Sequence, residues 1–332
     1  MTSAATIAVP TAPDLRHFLS IDAIDRVLFE DYLATAVYLK RRRAQGIVEH
    51  ALQGKTLAMI FEKPSLRTRV SFEVGMAELG GRAMYIRGEE VGLGTREPVR
   101  DVARTMSRMV QGIMARVFKH QTICDLGAHA AVPVVNGLCD RHHPCQALAD
   151  FLTIREHFPD TRGLKVVFIG DANNVCRSLA RACLHGGATF TLACPQGYGF
   201  TDDDKELLGE AWGRSVTESH DPVVAASGAQ VLYTDVWTSM GQEAERERRL
   251  RDFQGYQINA ALLALADPQA RIMHCLPAHR GEEISDDMVE HPRSLIFDQA
   301  ENRLHAQKAI LRLLMVPVSE AQSVVRAARQ ES

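Results

Sequence analysis

Residues 57–81 read LAMIFEKPSLRTRVSFEVGMAELGG and contain one complete unit of strand, loop and helix. Leu57–Phe61 is a short, uninterrupted apolar run, which is typical of a strand buried on both faces of a sheet. After a polar loop, apolar residues recur at helical spacing over Leu66–Leu79, and the pair Gly80-Gly81 ends this predicted helix. A buried strand followed at once by an amphipathic helix is the building block of a parallel sheet.

The same unit recurs along the 332 residues of the chain. The alternation predicts an α/β protein with two domains, each a parallel β-sheet flanked by helices on both faces. The other predicted strands are Gly112–Phe118, Val132–Leu138, Lys165–Ile169, Thr189–Ala193, Gln230–Thr234 and Arg271–Leu276. The other predicted helices are Asp101–Val110, Pro144–Phe158, Val175–His185 and Glu301–Met315. In such folds ligands bind beyond the carboxyl ends of the strands, so polar residues that directly follow strands are the candidates for a site.

We expect the domain boundary inside or just after the helix Pro144–Phe158, before a turn at residues 159–163. This division predicts a disordered leader over residues 1–14, a first domain over 15–150, a second domain over 151–316 and a tail over 317–332. The last predicted helix has two possible positions, on the second domain or back on the first.

Composition excludes several classes of protein. Lysine and arginine total 38 against 41 acidic residues, a balance that argues against a nucleic-acid or anionic-membrane partner. The seven cysteines are odd in number and lack CxxC spacing, which favours reduced thiols over a disulfide framework or a zinc ribbon. No apolar run approaches the length of a membrane span. We therefore expect a cytoplasmic protein.

Two motifs resemble nucleotide-binding sites but lack residues that such sites require. Gly54-Lys55-Thr56 precedes a strand, and Glu49 stands where the first glycine of a phosphate-binding P-loop belongs. Gly170-Asp171 follows a strand but lacks the second glycine of a dinucleotide fingerprint, and no acidic residue ends the next strand. The histidines show no metal-ligand spacing, so we predict no metal site.

The strongest chemical motif is Ser65-Leu66-Arg67-Thr68-Arg69, which lies between a strand and a helix. A helix start offers free backbone N–H groups, and the added hydroxyls and guanidinium groups suit a phosphate dianion. The alternative is a helix capped by Ser65 whose arginines are solvated, and the spacing alone leaves both open.

Other polar residues also follow strands, and each has an ordinary structural alternative. Arg116 lies in an apolar strand, where a charge needs either a core carboxylate or an anionic ligand. His143 and Gln146 begin a helix, where they either cap it or face a ligand. The remaining candidates are Asn173 and Asn174 as turn residues or ligands, Asp235 with the loop that follows it, and Cys275 as a buried thiol or a reactive one.

Taken in order, these motifs resemble the ornithine carbamoyltransferase family of the aspartate/ornithine carbamoyltransferase superfamily. The resemblance covers about residues 15–315. It rests on Ser65 to Arg69, Met114-Ala115-Arg116, His143-Pro144-Cys145-Gln146, Gly170-Asp171 with Asn173-Asn174, Asp235 with Ser239-Met240-Gly241, His274-Cys275-Leu276-Pro277 and Glu301-Asn302-Arg303. It implies an enzyme that makes citrulline and phosphate from carbamoyl phosphate and L-ornithine in arginine metabolism. It also implies a first domain for carbamoyl phosphate, a second for ornithine, a homotrimer or a multiple of it, and no cofactor.

The resemblance implies two sets of site residues. The carbamoyl-phosphate set is Ser65, Leu66, Arg67, Thr68, Arg116, His143, Gln146, Cys275, Leu276 and Arg303. The ornithine set is Asn174, Asp235, Ser239 and Met240. Among these, the catalytic roles fall to Cys275, Arg116 and His143.

Two departures from the family pattern stand out. Leu66 replaces the usual threonine, which matters only if the hydroxyl rather than the backbone N–H of that position binds phosphate. The loop over residues 89–94 has no glutamine, although many relatives offer one there to a neighbouring subunit, so that contact stays unassigned.

This reaction requires a neutral amine as the nucleophile. An alkyl amine has a pKa of about 10.4 and is therefore charged at neutral pH. Cys275 and Asp235 are the candidates that receive the proton or favour the neutral form. An acidic residue in the second-domain loop suits a cationic substrate. The alternatives to ornithine are another amine such as putrescine, or a catalytically silent paralogue that only binds.

Overall fold

The structure is a computed structural model that describes residues 17–238 and 243–331. The expected disordered leader at residues 1–14 lies outside the described residues. Within the described residues the chain forms two parallel five-stranded sheets with helices around them, which confirms the predicted α/β class with two sheet-based halves. No helix in these two stretches combines the length and apolar character that crossing a bilayer requires.

The first sheet has the strand order β1-β5-β4-β2-β3, with every neighbouring pair parallel. Its strands are β1 (His17–Phe18), β2 (Thr56–Phe61), β3 (Arg82–Arg87), β4 (Gly112–Arg116) and β5 (Val134–Leu138). Its helices are α1 (Arg26–Ala44), α2 (Leu66–Glu78), α3 (Gly88–Val91), α4 (Val99–Met106), α5 (His120–His129) and α6 (Pro144–His157).

The second sheet has the order β10-β9-β6-β7-β8 and is also parallel throughout. Its strands are β6 (Lys165–Ile169), β7 (Thr189–Ala193), β8 (Val216–Ser219), β9 (Val231–Thr234) and β10 (Arg271–His274). The helices in this part are α7 (Asn174–His185), α8 (Asp202–Leu208), α9 (Pro222–Ala226), α10 (Arg246–Asp252), α11 (Ala260–Leu263), α12 (Asp286–Val289), α13 (Ile296–Leu314) and α14 (Val318–Glu331). Two short 3₁₀ helices cover Gly209–Ala211 and Glu243–Glu245.

The strand registers bring the predicted site residues to one edge of each sheet. Phe61 pairs with Arg116, and Arg116 pairs with Leu138 across a shift in register after Ala115. In the second sheet His274 pairs with Thr234 at the corresponding end. The loops after β2, β4, β5, β9 and β10 therefore start at the carboxyl edges of their sheets, where parallel folds bind ligands.

Two predicted strands end earlier in the structure than the sequence suggested. The run Gly112–Phe118 ends as a strand at Arg116, and Arg271–Leu276 ends at His274. Apolar residues continue past both strand ends into the loops, where Val117 is buried, Cys275 and Leu276 are partly buried and Phe118 is exposed, and a pattern of hydrophobicity cannot separate such residues from a strand. Cys275 and Leu276 consequently lie in a loop rather than in β10.

The carboxyl-terminal helices differ from the prediction in extent. Helix α13 begins at Ile296, five residues before the predicted Glu301, and packs against α1, α2 and α6 of the first half. The stretch predicted as a tail over 317–332 contains a further helix, α14, at Val318–Glu331. That helix packs on α1 and buries Val324 and Ala328, an apolar contact too sparse to be conspicuous in the sequence.

Candidate active site

A cavity of about 560 Å³ opens where the carboxyl edges of the two sheets face each other. Every predicted site residue that the structure describes lines it: Ser65, Leu66, Arg67, Thr68, Arg116, His143, Gln146, Asn174, Asp235, Cys275, Leu276 and Arg303. Ser239 and Met240 lie outside the described residues. Lys63, Thr238, Arg246 and His279 also line the cavity, although the sequence analysis did not single them out. Lys63 and Thr238 closely follow β2 and β9, and His279 lies just after the motif that ends at Pro277, so their position was the available signal; Arg246, at the start of α10, gave none.

The start of α2 forms one wall of the cavity. Ser65 is the N-cap: its hydroxyl accepts from the Thr68 backbone N–H at 3.4 Å and lies 3.1 Å from the Thr68 hydroxyl. The side chain of Leu66 is 74% exposed, so the replacement of threonine by leucine leaves the cap and its hydrogen bonds intact. The backbone N–H groups of this first turn have no partner within the helix, which suits an anion.

Three arginines approach one another around the same wall. Burial lowers the pKa of Arg67, Arg116 and Arg303. For Arg116 the neighbouring Arg303 and Arg67 add to the burial, and its pKa falls to about 10. In residues 17–238 and 243–331 none of the three forms an ion pair with a carboxylate, and the Arg116 Nε is buried without a hydrogen-bond partner. Clustered, unpaired cations of this kind are stabilised by an anionic ligand.

His143 lies beside the arginines as a neutral donor or acceptor. Its backbone N–H donates to the Ser178 hydroxyl at 2.9 Å, and its buried Nδ1 has no partner among the described residues. Burial, followed by the charges of Arg303 and Arg116, lowers its pKa well below 6.5. The imidazole is therefore uncharged at neutral pH and is suited to hydrogen bonding rather than to ion pairing.

The opposite wall carries an acid and a thiol. The Cys275 thiol donates to Asp235 Oδ1 at 3.0 Å, and Asn173 Nδ2 donates to Asp235 Oδ2 at 2.8 Å. Burial and the neighbouring Asp235 raise the pKa of Cys275 well above 9.0, so the group remains a thiol. Asn174, at the first turn of α7, donates to the Cys139 carbonyl at 2.6 Å. The cavity thus has a cationic wall facing an acidic one.

Three groups of described residues have metal-ligand atoms within 4.8 Å of one another. One group is Asp235, His274 and Cys275, of which Asp235 and Cys275 line the cavity and His274 does not. Both ring nitrogens of His274 already have partners, Glu283 Oε1 at 3.0 Å and the Leu276 N–H at 2.8 Å, which leaves two ligands rather than three. The other two groups are Cys194 with Glu218 and His220, and His279 with Glu282 and Glu283.

Comparison with known proteins identifies relatives over nearly the whole chain. Residues 16–156 match the model of the aspartate/ornithine carbamoyltransferase carbamoyl-P binding domain, and residues 162–314 match that of the Asp/Orn binding domain. The chain is 54% identical over 283 residues to the ornithine carbamoyltransferase of Thermus thermophilus, covering 85% of this chain and 91% of the relative. It is 49% identical to that of Methanocorpusculum labreanum, covering 90% and 98%. The solved ornithine carbamoyltransferase structure from Pyrococcus furiosus superimposes with a TM-score of 0.87 at 47% identity, over 92% of this chain and 99% of that one.

Proposed function

The chain belongs to the aspartate/ornithine carbamoyltransferase family, and on that premise we propose that it is an ornithine carbamoyltransferase. It transfers the carbamoyl group of carbamoyl phosphate to the δ-amine of L-ornithine and releases L-citrulline and phosphate. The observation that supports this reaction best is the cavity itself, in which three unpaired arginines face an Asp235–Cys275 pair. The first half of the chain, near residues 15–150, binds carbamoyl phosphate, and the half near 151–316 binds ornithine.

The phosphate group lies against the start of α2. Ser65, Arg67, Thr68 and Arg116 hold it through hydroxyl and guanidinium groups, and the backbone N–H of Leu66 adds a donor. Each charge-assisted hydrogen bond of this kind contributes about 1.5–3 kcal/mol. As the bond to the carbamoyl carbon breaks, charge grows on the phosphate, and the same donors stabilise the leaving group.

The carbamoyl group lies deeper, between Arg116 and Arg303. Arg116, His143 and Thr68 polarise its carbonyl oxygen as this becomes an oxyanion. The side-chain oxygen of Gln146 and the backbone carbonyl of Leu276 accept from the carbamoyl NH₂. Arg303 reaches both Gln146 Oε1, at 2.6 Å, and the Thr68 hydroxyl, at 3.3 Å, and so links the two parts of this subsite.

Ornithine enters from the opposite wall. Asp235 with Ser239 binds its α-ammonium group, and Asn174 with the Met240 backbone binds its α-carboxylate. The cationic wall and the exclusion of water both favour the neutral form of the δ-amine. The amine nitrogen then bonds to the carbamoyl carbon, the carbon–oxygen bond to phosphate breaks, and the surplus proton passes to the phosphate.

Cys275 acts in this scheme as a hydrogen-bond donor. A thiol whose pKa is raised by burial and by a neighbouring carboxylate is a poor proton acceptor at neutral pH. Its role is to orient Asp235 and to contact the reacting end of ornithine.

The direct test is turnover with a panel of amines. The purified protein is given carbamoyl phosphate with L-ornithine, putrescine or N-acetyl-L-ornithine, and release of phosphate and the carbamoylated product are both measured. We expect ornithine to be the best substrate by a wide margin. Equal or better turnover of putrescine would contradict the substrate assignment, and no turnover of any amine would identify a silent paralogue.

The assembly and location belong to the same proposal. The enzyme is a homotrimer or a multiple of it, and its cytoplasmic location is supported by its seven free cysteines. Sedimentation of the purified protein measures the subunit number directly.

A further inference from the structure

Asp150 on α6 is completely buried and accepts three hydrogen bonds. Gln146 Nε2 and Gln299 Nε2 both donate to its Oδ1 at 2.7 Å, and the Tyr233 hydroxyl donates to its Oδ2 at 3.0 Å. These three partners come from α6, α13 and β9. The carboxylate therefore joins the two halves of the chain directly behind the cavity.

The amide of Gln146 lies between two groups of opposite hydrogen-bonding character. An ionised carboxylate only accepts hydrogen bonds, and a guanidinium only donates them. Asp150 accepts a hydrogen bond from the amide Nε2, and Arg303 Nη1 donates one to the amide Oε1 at 2.6 Å. An amide is almost symmetric in shape and can turn over, so the pair of neighbours decides which end faces the cavity.

Gln299 is held in the same way. Its Oε1 accepts from the His274 backbone N–H at 2.9 Å, while its Nε2 donates to Asp150. His274 directly precedes Cys275 in the chain. The Asp150 carboxylate thus orients two amides. The Gln146 amide lies on the carbamoyl-phosphate side of the cavity, and the Gln299 amide binds the His274 backbone on the ornithine side.

We propose that Asp150 is a positioning residue that fixes the Gln146 amide with its oxygen toward the carbamoyl NH₂ of the substrate. This inference rests on the proposed function, in which Gln146 accepts from that NH₂. With the amide reversed, its NH₂ would face both the substrate NH₂ and Arg303, and three sets of donors would converge without an acceptor. Asp150 itself touches no substrate atom.

The ionised carboxylate is the form that fits this arrangement. Burial raises the pKa of Asp150 to about 7, and the three donors and the charge of Arg303 act in the opposite direction. A protonated carboxyl group would have one acceptor oxygen fewer for these donors, and of its three partners only the Tyr233 hydroxyl could accept its proton. The donors around Asp150 therefore favour the acceptor-only state that sets the amides.

The test compares two ligands that differ in whether they carry a carboxamide. Phosphonoacetamide mimics carbamoyl phosphate: its phosphonate replaces the phosphate and its carboxamide replaces the carbamoyl group, whereas inorganic phosphate has only the anion. Calorimetry on Asp150→Ala should show phosphonoacetamide binding at least about 10-fold more weakly, while phosphate binding changes by less than about threefold. In the assay, kcat/KM for carbamoyl phosphate should fall by at least about 100-fold.

Thr153→Val is the matched control, because Thr153 lies on the same helix and is equally buried. Its hydroxyl bonds Ala149 and Asn302 and does not contact Gln146, so both affinities should match the wild type. If Asp150→Ala does not fold, Asp150→Asn is the second variant, because it keeps one oxygen acceptor. It should also show a selective loss of affinity for phosphonoacetamide relative to phosphate, by a smaller factor.

The proposal would be overturned if a folded variant bound both ligands equally more weakly, or bound both as tightly as the wild type. The binding comparison needs no turnover, so it is independent of the amine assay. A wild-type chain that binds phosphonoacetamide but makes no citrulline contradicts the proposed function, and the selective loss still decides the role of Asp150.

Discussion

Arg67 and Arg69 lie two positions apart and have different surroundings. Arg67 lines the cavity without a carboxylate partner among the described residues, whereas Arg69 pairs with Glu73 at 2.9 Å and lies over the ring of Tyr85. Arg67 is therefore available to the phosphate of the proposed reaction, whereas Arg69 is engaged on the outer face of the helix.

Replacing Arg67 with alanine should lower kcat/KM for carbamoyl phosphate at least about 100-fold, because more than one charged hydrogen bond is lost. Arg69→Ala is the control and should stay within about threefold of the wild type, since it removes an exposed ion pair. Steady-state kinetics with both substrates measures this. A loss of tenfold or less in Arg67→Ala would place the phosphate elsewhere.

Cys275→Ser should mainly raise the KM for ornithine, because a serine hydroxyl can still donate to Asp235 but is smaller and more polar than the thiol. Cys275→Ala removes the donor and should cost more than the serine variant. The comparison of kcat and of both KM values checks this order. Kinetics unchanged in both variants would remove Cys275 from the mechanism.

The titration of Asp150 should appear in the stability of the protein. Its pKa is raised from 3.8 to about 7 by burial, so the folded state holds this proton more tightly than the unfolded state does. The stability contributed by the bound proton is present below about pH 4 and is lost as pH rises toward 7. Relative to Asp150→Asn, the wild-type free energy of unfolding should fall by a few kcal/mol across that window. Denaturant unfolding at several pH values measures it, and a constant difference would contradict the raised pKa.

At the scale of elements, the contact between α6 and the end of α7 is unusually close. A Cβ added at Gly186 would lie 1.8 Å from the ring of the fully buried Phe151. Gly186→Ala should therefore cost roughly 1–3 kcal/mol of stability, as overpacking does. Thermal or denaturant unfolding checks the loss.

A double-mutant cycle gives the control for this contact. Phe151→Leu leaves more room, so the double variant should lose less stability than the sum of the two single losses. Additive losses of stability would show that the Phe151 ring and Gly186 are not in contact.

Elements with a strong apolar pattern were predictable and weakly patterned ones were not. Strand β6 and helix α7 lie within one residue of their predicted bounds, because β6 is an uninterrupted apolar run and the apolar residues of α7 recur at helical spacing. Strand β3 was not predicted: it is an edge strand whose residues are exposed or half-exposed, and its short apolar run is bounded by Arg82 and Arg87. Helix α14 was predicted as a tail for the same reason, since it buries little surface.

At the scale of the whole molecule, α13 connects the two halves. It lies after the second sheet in sequence but packs on α1, α2 and α6, and it carries Gln299, Asn302 and Arg303 into the region between the sheets. Through it, the residue network behind the cavity is continuous from the start of α2 to the end of β10. This arrangement explains why a residue near the carboxyl terminus, Arg303, belongs to the site formed by the first half.

The candidate site was largely predictable because its residues follow strands and match a family pattern in order. Every predicted site residue among those described lines the cavity. The supporting residues were not predictable, since a carboxylate such as Asp150 in an apolar helix gives no sign of its partners. Those partners, Gln299 and Tyr233, are 149 and 83 positions away and meet it only through the fold.

A crystal structure with a bisubstrate analogue that joins a phosphonate, through an acetyl group, to the δ-nitrogen of ornithine would locate both substrate subsites in one experiment. We predict the phosphonate within hydrogen-bond distance of Ser65, Arg67 and Arg116, and the α-ammonium group beside Asp235. An analogue bound outside this cavity, or bound in it with its ends reversed, would contradict the proposed function.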